Sequence, residues 1–234
     1  MTQRLTGKLA LVTGASRGIG AATAKKLAAE GAHVILVART AGGLEAVEDA
    51  IHEADGNATI APLDLVDGDS IQRLATAVSE RWGALDILVL NAAMLGSLTP
   101  VVQIEAKELS AVMTLNFTAQ QALIAAFDPM LKKSENGRVI ALTSSVGARP
   151  RAYWGAYGAS KAALDTLITA YGEEVKNLTK IRVAIVDPGG TATDMRALAF
   201  PGEDPATLKS PEVVAEAIAD LVTAEFETGH RITV

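Results

Sequence analysis

Tyr157 and Lys161 stand four residues apart in the run Tyr157-Gly158-Ala159-Ser160-Lys161, a spacing that puts both side chains on one face of a helix. A phenol beside an ammonium ionises more easily than a free tyrosine, whose pKa is about 10, because the neighbouring positive charge favours phenolate. Tyr157 is therefore a candidate general acid/base. Ser144 and Ser145 lie just upstream and can supply a hydroxyl that hydrogen-bonds the same reacting oxygen. The chemistry open to this set is the interconversion of an alcohol and a carbonyl.

A second cluster lies near the amino terminus. In Thr13-Gly14-Ala15-Ser16-Arg17-Gly18-Ile19-Gly20, Gly14 permits a tight turn, and Gly18 and Gly20 permit close backbone approach. The amino terminus of a following helix can hold a pyrophosphate through its N–H groups and dipole. The next apolar run ends at Ala38-Arg39, where an Asp or Glu would accept hydrogen bonds from an adenosine ribose; an Arg there pairs instead with a 2′-phosphate. Arg17 offers a second positive charge. NADP(H) is thus favoured over NAD(H). Asp64 and Leu65, after the third run, are placed to frame an adenine, although Asp64 alone reads equally well as a turn carboxylate.

The elements that must position these groups are legible as alternating strands and helices. Strand-like apolar runs occur at Leu9–Thr13, His33–Ala38, Thr59–Pro62, Ile87–Leu90, Arg138–Thr143, Ile181–Val186 and Arg231–Val234. Helical spacing fills the gaps: residues Ile19 to Ala29 with Gly31 as a stop, the face Leu44, Val47 and Ile51, and the face Ile71, Leu74, Ala75 and Val78. Longer helical segments follow at 109–131 and 156–175, and a last helix opens at Pro211 with Val213, Val214, Ala217, Ile218 and Leu221. This order predicts right-handed crossovers and one doubly wound α/β domain of the Rossmann type over 1–234, with a parallel sheet of about seven strands flanked by helices. The glycine turn, Arg39, Asp64, Asn91, the serine pair and Pro188-Gly189 then follow the first six strands in turn, at the carboxyl ends where open α/β sheets bind ligands.

Composition narrows the functional classes. Of the 234 residues, 49% are hydrophobic and only 4% aromatic, which calls for a core of Ala, Val, Leu and Ile. A net charge of −6 gives no basic footprint for nucleic acid or an anionic membrane. The absence of cysteine removes disulfides, thiolate catalysis and cysteine metal sites, and His33, His52 and His230 have no metal-ligand spacing. No metal is expected. The segment Met1 to Lys8 carries no apolar signal core, and no later run is long enough to span a bilayer, so a cytoplasmic protein is expected.

Taken together, the Thr-Gly-x-x-x-Gly-x-Gly turn and the Tyr-x-x-x-Lys pair resemble the short-chain dehydrogenase/reductase family over nearly the whole chain. That resemblance implies that Tyr157 is the general acid/base, that Lys161 binds the nicotinamide ribose and lowers the tyrosine pKa, and that a serine orients the substrate carbonyl. Ser145 fits that serine by local context, preceding Val146-Gly147, but lies one residue nearer to Tyr157 than is common in the family; the count favours Ser144. Ser145 is preferred because a shortened loop is easier to accommodate than a slipped strand, which reverses side-chain direction. Asn116, in Leu115-Asn116-Phe117, fits the asparagine that completes a water-linked proton relay.

Further cofactor contacts follow from the same likeness. Leu90-Asn91-Ala92-Ala93 stands where the family pattern is Asn-Asn-Ala-Gly, and Asn91 and Ala92 keep its middle. Pro188-Gly189-Gly190-Thr191-Ala192-Thr193 matches the segment that contacts the nicotinamide carboxamide and pyrophosphate, with Thr193 supplying a hydroxyl. A short substrate lid is expected near 193–210. Arg149, Arg151, Tyr153 and Trp154 either line the site entrance or form an ordinary surface loop. A homodimer or homotetramer is expected, since the long helices resemble those that pair across subunits in this family.

The leading function is hydride transfer between NADP(H) and a small alcohol or carbonyl compound. A dinucleotide-binding sensor or scaffold is the alternative from another class, and such a protein is expected to lack part of the Tyr, Lys and Ser set, which this chain retains. A nicotinamide-assisted epimerase or dehydratase is disfavoured by the compact carboxyl-terminal region.

Overall fold

Seven apolar runs become seven strands of one parallel sheet in the computed structural model, which describes residues 3–234. Met1 and Thr2, the start of the amino-terminal segment read above, lie outside the described residues. The strands are β1 (Leu9–Thr13), β2 (His33–Ala38), β3 (Asn57–Pro62), β4 (Ile87–Leu90), β5 (Arg138–Leu142), β6 (Arg182–Asp187) and β7 (His230–Thr233). Their order is β3-β2-β1-β4-β5-β6-β7. Chain direction across the sheet therefore reverses between β1 and β4, and the crevice above that switch point is the natural ligand site.

The helices are α1 (Gly18–Ala29), α2 (Ala41–His52), α3 (Ser70–Arg81), α4 (Ala106–Met113), α5 (Ala119–Leu131), α6 (Ser145–Ala148), α7 (Gly155–Val175), α8 (Asp194–Ala199) and α9 (Pro211–Thr223). Alternate strand residues point to opposite faces. Leu9 and Leu11 of β1, Val139 and Ala141 of β5, and Val183 and Ile185 of β6 join a core with Ile71 and Leu74 of α3, Leu123 and Phe127 of α5, and Leu164 and Ile168 of α7. Their neighbours Ala10, Val12, Ile140, Leu142, Ala184 and Val186 meet α1, α2 and α9 through Leu27, Leu44, Val47, Ile51, Val214 and Ile218. Aliphatic side chains thus build both layers, as the low aromatic content requires.

Boundaries shift by one or two residues from the sequence reading. β3 starts at Asn57 rather than Thr59, β5 stops at Leu142, and β6 and β7 are displaced by one residue. Strand ends at the rim carry polar residues, so the apolar pattern marks their centres better than their limits. A larger difference lies within 109–131, read as one helical segment: α4 stops at Met113, a π-helical turn spans Thr114–Thr118, and α5 begins at Ala119. The cause is Asn116, wholly buried within that turn and bonded inward. Among the described residues, no helix is long and apolar enough to cross a membrane.

Candidate active site

The glycine turn is held against the end of β4 by Thr13. Its Oγ1 donates to the Val89 carbonyl (3.2 Å) and accepts from the backbone N–H groups of Asn91 (3.0 Å) and Ala92 (3.1 Å). Asn91 Nδ2 donates back to the Thr13 carbonyl at 2.8 Å. Asn91 and Ala92 therefore brace the turn, a role that the altered flanking residues Leu90 and Ala93 leave intact. Gly14 and Gly18 have φ of +65° and +55°, in the left-handed region. A Cβ on Gly20 would stand 2.2 Å from the Gly14 carbonyl oxygen, so the helix can approach the turn only with glycine there.

Around that turn the remaining residues expected at the cofactor site converge from the strand ends. Ser16 lies against Gly43 of α2, and Ile19 packs on the α1-side core. Arg39 is exposed after β2. Leu65 is buried, whereas the Asp64 carboxylate accepts from the Val66 N–H at 3.2 Å and its carbonyl accepts from Ser70 Oγ at 2.6 Å. After β6, Gly189 has φ +58° and donates its N–H to Asp187 Oδ1 (3.0 Å); buried Thr191 donates to the Pro188 carbonyl (2.9 Å). Thr193 caps α8, accepting from the Arg196 N–H at 3.2 Å. Arg17 points to this segment rather than to Arg39: it pairs with Asp194 at 3.3 Å, both side chains being largely exposed. α1 has neither a side-chain cap nor an acidic residue in its first turn. A glycine cradle, an uncapped helix start and an exposed arginine suit a phosphorylated dinucleotide.

On α7, Tyr157 and Lys161 are both buried, and the Lys161 Nζ stands 5.7 Å from the centre of the Tyr157 ring. The ammonium donates to the Leu142 carbonyl, at the end of β5, at 2.9 Å. Burial pushes the Tyr157 phenol well above its ordinary range, the negative charge of Asp187 adds to this, and a hydrogen bond with the Ser144 hydroxyl opposes it. Burial likewise lowers Lys161 to about 8, against the pull of Asp165 and Asp187. Burial of the phenol, not the charge of Lys161, therefore sets the direction for Tyr157 in this structure, so the easing expected from Lys161 is not seen.

The serines separate clearly. Ser144 is the last extended residue after β5 (φ −159°, ψ 146°), caps α6 by accepting from the Val146 N–H, and is the serine whose hydroxyl reaches Tyr157. Ser145 is the first helical residue of α6 and is exposed. Asn116 uses its amide on structure: Oδ1 accepts from the Met94 N–H (2.8 Å), while Nδ2 donates to the Met94 carbonyl (2.8 Å) and to Ser160 Oγ (3.0 Å). Ser160 donates in turn to the Tyr157 carbonyl at 2.7 Å, which links the π-helical turn to the tyrosine backbone.

Of the entrance residues, Arg149, Arg151 and Tyr153 are exposed, whereas Trp154 turns inward against Tyr157 with ring centres 5.9 Å apart. Leu95 shares an apolar cluster with Tyr157, and Leu98, Met195 and Ala199 pack against that cluster. These were not legible as site residues, because they lie in loops and on a six-residue helix where apolar side chains have no periodic pattern to reveal their direction.

Fold and site together define an NAD(P)-dependent dehydrogenase or reductase. Residues 8–204 match the short chain dehydrogenase model, and the chain belongs to that family. The uncharacterized oxidoreductase YciK of Escherichia coli is 38% identical over 210 residues, 88% of this chain and 82% of its own length. The short chain dehydrogenase of Salmonella enterica serovar Typhi superposes with a TM-score of 0.95 at 34% identity, covering 100% of this chain and 98% of the other. A relative from Shigella flexneri 2a, solved in complex with NADP, has a TM-score of 0.95 at 35% identity and covers 100% and 99% of the two chains.

Proposed function

We propose that the protein interconverts an alcohol and a carbonyl compound using NADP(H), with Tyr157 transferring the proton. What carries the reading is the meeting of Tyr157, Lys161 and Ser144 at the end of β5, in the crevice that the glycine turn also borders. The bound nicotinamide supplies or takes the hydride. In the direction of reduction Tyr157 gives its proton to the carbonyl oxygen, and in the direction of oxidation it takes the proton back. Ser144, in place of the expected Ser145, donates a hydrogen bond to that oxygen. Lys161 holds the nicotinamide ribose and steadies the phenolate by its charge, and Asn116 positions the Met94 backbone and the start of α7.

The dinucleotide is held by Gly14, Ser16, Arg17, Gly18, Ile19 and Gly20 at its phosphates, by Asp64 and Leu65 at the adenine, and by Pro188, Gly189, Thr191 and Thr193 at the nicotinamide end. Arg39 takes the 2′-phosphate, since β2 ends with no carboxylate to repel it; the NADP complex of the Shigella relative supports this choice. Residues 193–210 act as a lid over the one domain. Their excursion starts and ends at a pairing of Thr191 with Lys209, and with Met195 and Ala199 seated near it Tyr157 is only 7% exposed. Subunits pair through the α5 and α7 face, where a groove of about 1100 Å³ is lined by Gln121, Ile124, Ala125, Leu167 and Ala170.

A screen of alcohols and carbonyls with the purified protein, followed at the reduced nicotinamide absorbance with both cofactors, tests the reading. Turnover faster with NADP(H) than with NAD(H) is the expected result. No turnover with any compound, in protein that binds the cofactor, would leave the sensor reading in its place.

A further inference from the structure

Besides the two sheet cores, the structure holds a third apolar cluster, and Tyr157 is part of it. Buried Leu95 and Val146 meet Leu98, Trp154, Met195 and Ala199, drawn from the loop after β4, the turn after β5, the entry to α7 and the lid. Trp154 stands between Tyr157 and Phe200, its ring centre 5.7 Å from that of Phe200. The Arg196 guanidinium covers the Phe200 ring at 3.8 Å and forks onto Glu203 at 2.5 and 2.6 Å. The one cation of the lid helix is therefore spent within the lid and faces a carboxylate, not the reacting centre.

The cluster continues to the surface. A Cβ on Gly155, next to Trp154, would meet Val101 Cγ2 at 3.2 Å, so the turn at Val101–Gln103 leans on the entry to α7. On that turn Val101 and Val102 are 71% and 93% exposed, and on the lid Leu198 is 75% exposed. Val101 thus meets the residue next to Trp154, and Leu198 shares its helix with Met195 and Ala199 of the cluster; apolar side chains left in water beside an apolar lining mark a binding surface.

We propose that this track binds the apolar substituent of the substrate. The preferred substrate is an uncharged ketone or aldehyde, or the matching alcohol, whose extended hydrocarbon group runs from Tyr157 past Trp154 towards Val101 and Val102. Trp154 is the specificity-determining residue. The proposal rests on the acid/base reading of Tyr157: the carbonyl carbon gains the hydride of NADPH, the oxygen gains the Tyr157 proton, NADP+ and the alcohol leave, and the phenolate takes a proton back from water. A carboxylate beside the carbonyl is rejected, because it loses its hydration without gaining an ion pair in the cluster.

The test is NADPH-dependent reduction of a homologous series of 2-alkanones, from acetone to 2-decanone, beside 2-oxo acids of equal length. For the ketones kcat/KM rises about four-fold per methylene until the group reaches the rim, and the oxo acids fall at least about ten-fold behind. Trp154→Ala flattens the ketone slope, mainly through KM; Phe200→Ala does the same if the first variant does not fold. A parental slope that is flat, or a preference for the oxo acids, overturns the proposal while leaving the oxidoreductase reading in place. If no compound turns over, the latter reading fails, and calorimetric titration of the NADP+ complex with 1-alkanols decides the former. Affinity that climbs with chain length and drops in Trp154→Ala upholds the track, and affinity independent of length removes it.

Discussion

The Lys161 ammonium faces the Tyr157 ring at 5.7 Å while its hydrogen bond goes to the Leu142 carbonyl, so the two groups share one desolvated pocket without bonding to each other. Such a pocket costs stability when no ligand is bound. Burial lowers Lys161 from 10.5 to about 8, and the unfolded chain therefore binds more protons between those pH values. Stability rises with pH through that window, and below about pH 8 the full penalty is present. Lys161→Met removes it. In the cofactor-free protein the unfolding free energy of the parent, minus that of Lys161→Met, should rise by on the order of 3 kcal/mol from pH 7.5 to 10.5. A difference that stays constant with pH would show that Lys161 is not desolvated as described. The same variant should lose NADP(H) affinity.

Ser144 and Ser145 give a direct contrast. Ser144→Ala removes the hydroxyl that reaches Tyr157 and should lower kcat by about 100-fold, whereas exposed Ser145 should tolerate alanine with little change. Steady-state kinetics at equal folded content read the two variants. A larger loss in Ser145→Ala would restore the choice made from local context.

If Arg39 takes the 2′-phosphate as proposed, cofactor choice should depend on it, and the pairing of Arg17 with Asp194 should modulate that choice. Arg39→Ala should weaken NADP(H) by about ten-fold or more and leave NAD(H) nearly unchanged, since a charge-assisted arginine bond contributes roughly 1.5–3 kcal/mol. Asp194→Asn frees Arg17 for phosphate and should tighten NADP(H) by about two- to five-fold at low salt, the range of an exposed pair. Fluorescence titration of the reduced cofactor measures both. Tighter binding of NAD(H) than NADP(H) to the parent would reverse the assignment.

The groove between α5 and α7 should be covered by a second copy of the chain. Light scattering at micromolar concentration should give a dimer or tetramer, and Ala170→Glu, which puts a charge on its lining, should shift the population to monomer. A monomeric parent would remove this part of the account.

How far the sequence carried the reading depended on whether a signal was periodic. β1, β2 and β4 appear with the expected limits because their apolar runs are buried throughout or nearly so and end at chemically distinct residues. The glycine turn and the Tyr157 and Lys161 spacing were legible for the same reason: each is a local pattern with a backbone or helical cause. Local context favoured Ser145 and the spacing to Tyr157 favoured Ser144, and the preference for Ser145 could not be checked in the sequence, since which hydroxyl faces Tyr157 turns on a single extended residue before α6. The π-helical turn at Asn116 leaves no mark in composition, being produced by a tertiary bond to Met94. Thr13 reads as a turn residue, yet its hydroxyl joins β1 to β4. The apolar cluster over Tyr157 combines four separate segments, and only their packing brings it into view.

The proton-transfer role of Tyr157 is tested most directly by Tyr157→Phe, assayed with NADPH and a 2-alkanone that the parent reduces. The variant should fold, bind NADPH with parental affinity and lose turnover by at least about 100-fold, because only the transferable proton is removed. Turnover near the parental rate, at equal folded content and equal cofactor occupancy, would contradict the account.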